Sequence, residues 1–80
     1  MQLDIITPDK KVYSGTVESV QLPGAEGSFG ILKGHAPTIA TLKKGTIKVT
    51  DTKKNVENIE INGGVVEVLN NTVVVLAERS

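Results

Sequence analysis

The chain contains 80 residues, and its nine basic residues balance nine acidic ones, so the formal net charge at pH 7 is zero. A neutral chain provides no general field that attracts nucleic acid or an anionic membrane surface. The absence of cysteine excludes disulfides, thiolate nucleophiles and cysteine-rich zinc sites. One Phe, one Tyr and no Trp offer few rings for stacking on bases, so no nucleic-acid partner is expected. The length favours a single domain over residues 1–80, without a linker or a second domain.

Strand signals dominate the sequence, since the abundant valine, isoleucine and threonine suit a pleated sheet better than a helix. The first strand is expected to end near Thr7, because Pro8 fixes φ and donates no ladder hydrogen bond. A second strand follows over residues 11–22. In a regular strand the side chains of Val17 and Val20 would face opposite sides of the sheet. A bulge between these two valines is therefore predicted, because it would bring both to the same side.

The middle of the chain predicts short strands separated by turns. Residues 38–42 form a short strand, Lys44-Gly45 turns the chain, and residues 46–50 form a strand that alternates polar and apolar side chains. One face of that strand is therefore expected to meet water. The polar stretch 51–55 is expected to be a hairpin loop.

The last third of the chain returns along a strand in which Ile59 and Ile61 face inward, and residues 62–64 are expected to turn it again. The asparagine pair 70–71 predicts a further turn, because short amides tolerate left-handed geometry. The final apolar run, residues 73–76, is expected to be a central strand. Together these signals predict an all-β fold, a flattened sandwich or barrel of about ten short strands.

Catalysis and metal binding have little support in the sequence. His35 is the only side chain that titrates near neutrality without perturbation, and no serine lies in a G-x-S-x-G context. One histidine with scattered carboxylates provides no spacing that preorganises a metal site. We therefore expect a non-enzymatic protein with no cofactor and no metal.

The segment over residues 23–37 contains glycines at positions 24, 27, 30 and 34. Glycine-rich loops can hold phosphate on backbone N–H groups, but a Walker loop needs Lys and then Ser or Thr after its last glycine. Neither Gly30 nor Gly34 is followed by that pair, and no helix is predicted. The glycines therefore indicate tight turns and close backbone approach.

Two lysine pairs stand at expected turns, Lys43-Lys44 and Lys53-Lys54, and a solvated turn is the simplest interpretation of each. The second pair lies at a predicted hairpin tip, which is where carrier domains of the lipoyl and biotinyl type are modified. A carrier domain modified at a hairpin lysine is therefore the alternative function. The Asp-Lys-Ala or Met-Lys-Met triplet of such carriers is absent.

Residues 24–37 resemble the signature segment of the epsilon subunit of F-type ATP synthases. The similarity extends over residues 1–78, in one order and without large gaps. The other segments that resemble the family are residues 3–8, 12–15, 45–49, 63–68 and 71–78.

The resemblance implies a non-catalytic part of the central stalk that fixes the gamma subunit to the ring of c subunits. Rotation driven by proton or sodium flow would pass through that junction, coupling ion transport to ATP synthesis. The implied partners are gamma and the c ring, and the isolated domain would be a monomer. Its implied location is the cytoplasmic face of the bacterial inner membrane, held there by the complex; the start of the chain shows no signal peptide.

The resemblance also implies two groups of partner-binding residues. The c-ring side would be formed by the tight loop Glu26, Gly27 and Ser28. The gamma side would be formed by Thr7, His35, Ala36, Pro37 and Ala40.

Three side chains keep two interpretations each. The ring nitrogens of His35 either bond the loop backbone or contact a partner directly. Tyr13 and Phe29 suit ordinary packing, with a role as interface anchors left open.

Longer family members continue into a C-terminal helical hairpin that restrains ATP hydrolysis. This chain ends at Arg79-Ser80, as expected either of an excised domain or of a naturally short family member. In both cases no helical domain and no such inhibition is expected from these residues.

Overall fold

The computed structural model describes residues 1–79 and leaves only Ser80 outside. Its strands are β1 (Gln2–Ile6), β2 (Lys11–Gly24), β3 (Gly27–Leu32), β4 (Thr38–Asp51), β5 (Val56–Leu69) and β6 (Thr72–Glu78). The described part of the chain contains no helix with the length and apolar character that crossing a membrane requires.

The six strands form one sheet in the order β1-β6-β5-β4-β2-β3, and β1 also pairs with β2. This extra pairing closes five strands into a ring, with β3 added beside β2 as an edge strand. β1 and β6 are parallel, whereas the other pairs are antiparallel. Closure removes free strand edges from the ring. The predicted all-β class, a flattened sandwich or barrel, is confirmed.

The core fills the ring with aliphatic side chains, because strand residues alternate between the inside and the outside. Within residues 1–79 no polar or charged side chain is buried. Tyr13 and Phe29 are half-buried and pack against this core, which agrees with the packing interpretation of both rings. The largest fully buried side chains are Leu3, Ile5, Leu22, Ile31, Ile47, Val17, Val20, Val49, Val66, Val73 and Val75.

Several local predictions are confirmed. β1 ends at Ile6, next to the expected boundary. The register of β2 against β4 shifts between Val17 and Ser19, which is the predicted bulge. Asn70 and Asn71 connect β5 to β6 with φ angles of 51° and 61°. β6 lies between β1 and β5, as expected for a central strand.

Two predicted turns are wrong, because residues 44–45 and 62–64 lie inside the continuous strands β4 and β5. The two strands keep a single register along their whole paired length. Three of the strands therefore run for 14 residues, so the strands are fewer and longer than expected.

Glycine bends β5 at the predicted turn without ending it. Ile61 and Val66 both face the core, although their positions differ in parity. Gly63 and Gly64 accommodate the change with φ angles of 149° and 154°. A Cβ added to Gly64 would lie 3.0 Å from the Ala77 Cα, so the backbones of β5 and β6 approach too closely for a side chain there.

Candidate partner interface

The β2–β3 hairpin carries the first predicted group at its tip. Ala25 and Glu26 form the turn, and the Ala25 N–H donates to the Thr41 carbonyl of β4 at 2.9 Å. A Cβ on Gly24 would come within 2.7 Å of the Phe29 ring, so glycine is required for this ring to pack. The tip is thus an exposed turn that is held against the ring of strands.

A concavity of about 690 Å³ lies between this tip and the start of β4. Glu26 and Gly27, predicted to face the c ring, line it together with His35 and Ala40, predicted to face gamma. The structure therefore brings members of both predicted groups to one surface.

His35 bonds the backbone of its own loop. The backbone N–H of His35 donates to the Leu32 carbonyl at 3.1 Å, and the ring Nδ1 of His35 lies 2.8 Å from the Ala36 carbonyl oxygen. The Thr38 hydroxyl donates to the same oxygen at 3.0 Å. The structural interpretation of His35 therefore has direct support. The ring is nevertheless exposed and lines the concavity, so the same side chain can also meet a partner.

The remaining predicted residues lie away from that concavity. The Ser28 hydroxyl accepts a hydrogen bond from the Gln21 amide at 3.1 Å. Thr7 and Pro8 line a second concavity of about 400 Å³, next to β5 and β6. Pro37 lines a third, of about 460 Å³, between β4 and β5.

Apolar side chains cover the outward surface between these last two concavities. Val65 lies directly opposite Leu76, and Leu76 lies opposite Ile6 on the next strand. The exposed fraction reaches 74% for Ile39 and 57% for Leu76. We call this surface the outer apolar face. Its members are Ile6, Ile39, Val65, Leu69, Val74 and Leu76.

None of the members of the outer apolar face is among the partner-binding residues predicted from the sequence. The signal was present in β6, whose run from Val73 to Leu76 is apolar on both of its faces. A strand in a closed ring has one face in the core and one outside, so only one face needs to be apolar. Contiguous exposed apolar surface of this kind marks interaction sites.

Asp4 borders the outer apolar face, and its charge is compensated within the chain. The Ser14 hydroxyl donates to its Oδ1 at 2.7 Å, and the Lys11 ammonium lies 3.7 Å from the same atom. The Ser14 hydrogen bond and the Lys11 charge hold the pKa of Asp4 below its ordinary value. Asp4 therefore presents a satisfied carboxylate.

The hairpin tip between β4 and β5 is held by its own contacts. Asp51 Oδ1 accepts hydrogen bonds from the Lys53 N–H at 2.8 Å and the Asn55 N–H at 2.9 Å. The Lys54 ammonium lies 2.6 Å from a Glu18 carboxylate oxygen. One lysine of the proposed carrier site is thus engaged in an ion pair.

The described residues offer an exposed contact surface. Within residues 1–79, no three His, Asp or Glu side chains are grouped closely enough to hold a metal ion. The three concavities are lined mainly by apolar groups and backbone. A closed β-domain with an exposed apolar face of this kind is typical of domains that bind other proteins.

Comparison with known proteins identifies the family to which this domain belongs. Residues 1–80 match the family described as ATP synthase, Delta/Epsilon chain, beta-sandwich domain. The chain belongs to this family, which confirms the resemblance found in the sequence.

Curated relatives are ATP synthase epsilon chains. One from Desulfatibacillum aliphaticivorans is 51% identical over 78 residues, which cover 98% of this chain and 55% of the relative. One from Chlorobium limicola is 44% identical over 77 residues, which cover 96% of this chain and 88% of the relative. This chain therefore spans about half of the first relative and most of the second.

Solved structures share the fold at lower identity. A chain of the Euglena gracilis mitochondrial ATP synthase, from a structure showing OSCP, F1 and the c-ring, matches with a TM-score of 0.89 and 23% identity, covering 94% of this chain and 48% of that one. A chain of the Tetrahymena thermophila mitochondrial ATP synthase central stalk and c-ring matches with a TM-score of 0.82 and 20% identity, covering 98% and 63%.

Proposed function

We propose that this chain is a non-catalytic rotor component of an ATP synthase, which joins the gamma subunit to the c ring. Family membership and the fold shared with ATP synthase chains support this assignment. The observation that carries it is the outer apolar face, an exposed apolar surface on a closed ring of strands. Close packing and ladder hydrogen bonds make such a ring resistant to shear, which suits the transmission of torque.

The gamma subunit is assigned to the outer apolar face. Thr7 and Pro37, from the group predicted to face gamma, line the two concavities that border this face. Val65 and Leu76 lie between them on neighbouring strands. A stable interface would bury ~800 Å² of each partner, with an apolar centre and a polar rim.

The c ring is assigned to the tip of the β2–β3 hairpin. Glu26, Gly27 and Ser28 are exposed there, and the first and last of them present polar side chains. The hydrogen bond from Ala25 to Thr41 connects the tip to β4, which forms part of the ring. A load applied to the tip would therefore pass into the body of the domain.

Binding to purified gamma tests the first assignment. We expect isothermal titration calorimetry to detect binding of the wild-type chain at micromolar concentration. Leu76→Asp should weaken binding at least tenfold, because it places a charge in a desolvated apolar contact. Asn58→Asp adds the same charge on an exposed part of β5 outside the face and should change affinity less than twofold. Absence of wild-type binding would contradict the proposal.

Assembly with the c ring is tested by Gly27→Val. Gly27 has a φ angle of 137°, where a β-branched residue strains the backbone. We expect lower proton-driven ATP synthesis by vesicles that contain the reconstituted complex. Gly30→Ala is the control, because its added Cβ would meet only the Val20 carbonyl at 3.9 Å. Unchanged ATP synthesis with Gly27→Val would contradict the assignment of the c ring to the hairpin tip.

On this proposal the isolated chain is a monomer and reaches the membrane, at its cytoplasmic face in a bacterium, only through the complex. Size-exclusion chromatography tests the first statement. The carrier alternative has no supporting observation, since Lys54 is paired with Glu18 and the family is a different one. An unmodified mass of the chain from its native host would exclude it.

A further inference from the structure

Glu67 stands in the middle of the outer apolar face. It lies directly opposite Ile39 on β4 and opposite Val74 on β6. Val65 and Leu69 are its neighbours two positions away on the same side of β5. Side chains in such opposed positions have Cβ atoms ~5 Å apart. Glu67 therefore has apolar residues at the four neighbouring positions of the sheet surface, and its side chain is exposed.

The contrast with Asp4 shows that this charge has no compensation. Asp4 lies opposite Val74 on the next strand, and both Ser14 and Lys11 interact with its carboxylate. Among residues 1–79, the Glu67 carboxylate has neither an ion-pair partner nor a hydrogen-bond donor. Water solvates it while the face is open. A partner that covers the face removes this water, and an unpaired buried carboxylate is strongly unfavourable.

The surface beside Glu67 has the shape and lining for a long basic side chain. Glu67 lines the concavity of about 460 Å³ together with Pro37, Ile39 and Leu69. The lining thus combines apolar side chains with one carboxylate. An aliphatic stem can pack on Ile39 and Leu69 while its cationic head reaches Glu67. A guanidinium suits this position best, since it forms two parallel hydrogen bonds with a carboxylate and is less strongly hydrated than an ammonium.

We infer that Glu67 determines the specificity of the outer apolar face, by selecting a partner surface that places an arginine in the concavity beside it. This inference rests on the proposed function, in which gamma covers the face. The arginine supplies the charge that the domain itself lacks there. An apolar surface without a basic residue at this point would be rejected, because it would bury Glu67 unpaired.

The test compares the affinity of purified gamma for wild-type chain, Glu67→Gln and Glu60→Gln. Glu60 faces outward on the same strand outside the face and is the matched control. We expect Glu67→Gln to weaken binding about 30-fold or more, which corresponds to about 2 kcal/mol, mostly through faster dissociation. Glu60→Gln should change affinity less than twofold. Urea unfolding should show that both variants are as stable as the wild type.

The outcomes separate the inference from the proposed function. If gamma binds the wild-type chain and Glu67→Gln binds equally well or more tightly, the inference is overturned and the proposed function stands. If gamma does not bind the wild-type chain, both are overturned. Glu67→Arg should lose binding and recover it when one arginine of gamma is changed to glutamate. Failure of every such reversed pair would overturn the assignment of arginine.

Discussion

The two halves of β5 differ in what their outward side chains contact. Before the glycine pair, Asn58 and Glu60 face water, and the Thr46 hydroxyl donates to Glu60 at 2.7 Å. Water and neighbouring side chains provide the hydrogen bonds of the polar side chains in this half. Its one exposed large apolar side chain, Val56, stands at the start of the strand opposite Thr50, away from any other exposed apolar side chain of this half.

After the glycine pair, β5 presents Val65 and Leu69 on either side of Glu67. The two apolar side chains are 41% and 49% exposed, which is costly for a surface that only meets water. One strand thus has a half suited to solvent and a half suited to a partner. A change of parity within a strand can therefore separate a solvated surface from a docking surface.

The largest expected effect is that of Gly64→Ala, which would break the connection between the two halves. The added Cβ would collide with the Leu76 carbonyl, at a φ angle of 154° that side chains rarely adopt. We expect the free energy of unfolding in urea to fall by ~3 kcal/mol or more. Gly30→Ala, on the edge strand β3, should cost less than ~1 kcal/mol. Equal stability of the two variants would show that close approach at Gly64 is not required.

Acid should weaken the solvated half through its hairpin tip. Hydrogen bonds from Asn55 and Lys53 hold the pKa of Asp51 below its ordinary value of 3.8. The unfolded chain therefore binds the proton more tightly. The stabilisation is fully present above ~pH 5 and is lost as the pH falls through 3.8 towards the pKa of the folded state.

Asp51→Asn should accordingly lower stability at neutral pH and reduce its dependence on acid. Urea titrations between pH 2 and pH 7 measure both effects (~0.5 pH steps resolve the midpoint). Asp9→Asn, in the turn between β1 and β2, is the control and should keep the wild-type profile. Identical pH profiles for wild type and Asp51→Asn would contradict the role of the carboxylate in this turn.

The smallest expected effect concerns Lys54 at the same tip. Lys54→Gly loses the exposed ion pair with Glu18, which is worth ~0–1 kcal/mol. Glycine also removes the backbone strain of a φ angle of 68° at this position. The loss of the ion pair and the loss of this strain therefore nearly cancel. We expect thermal unfolding to show a change within ~0.5 kcal/mol. Lys54→Ala loses the pair without that relief and should be less stable; the opposite order would contradict this reasoning.

Local cues predicted the features that depend on a few neighbouring residues. The asparagine pair 70–71, the bulge after Val17 and the hairpin loop 51–55 were all predictable in this way. The turns at 44–45 and 62–64 were wrong, because glycine looks the same in a sequence whether it ends a strand or bends it. Only the continuous pairing of β4 with β5 distinguishes the two.

The sequence by itself determined the all-β class, from β-branched composition and turn spacing, and the family, from the order of several motifs. Tertiary structure decided that the strands close into a ring, that members of the two predicted groups meet at one concavity, and that Glu67 lies between Ile39 and Val74. The physical reason is one of range. Turn and strand preferences act over a few residues, whereas the partner of each strand is chosen by burial of whole faces across the domain.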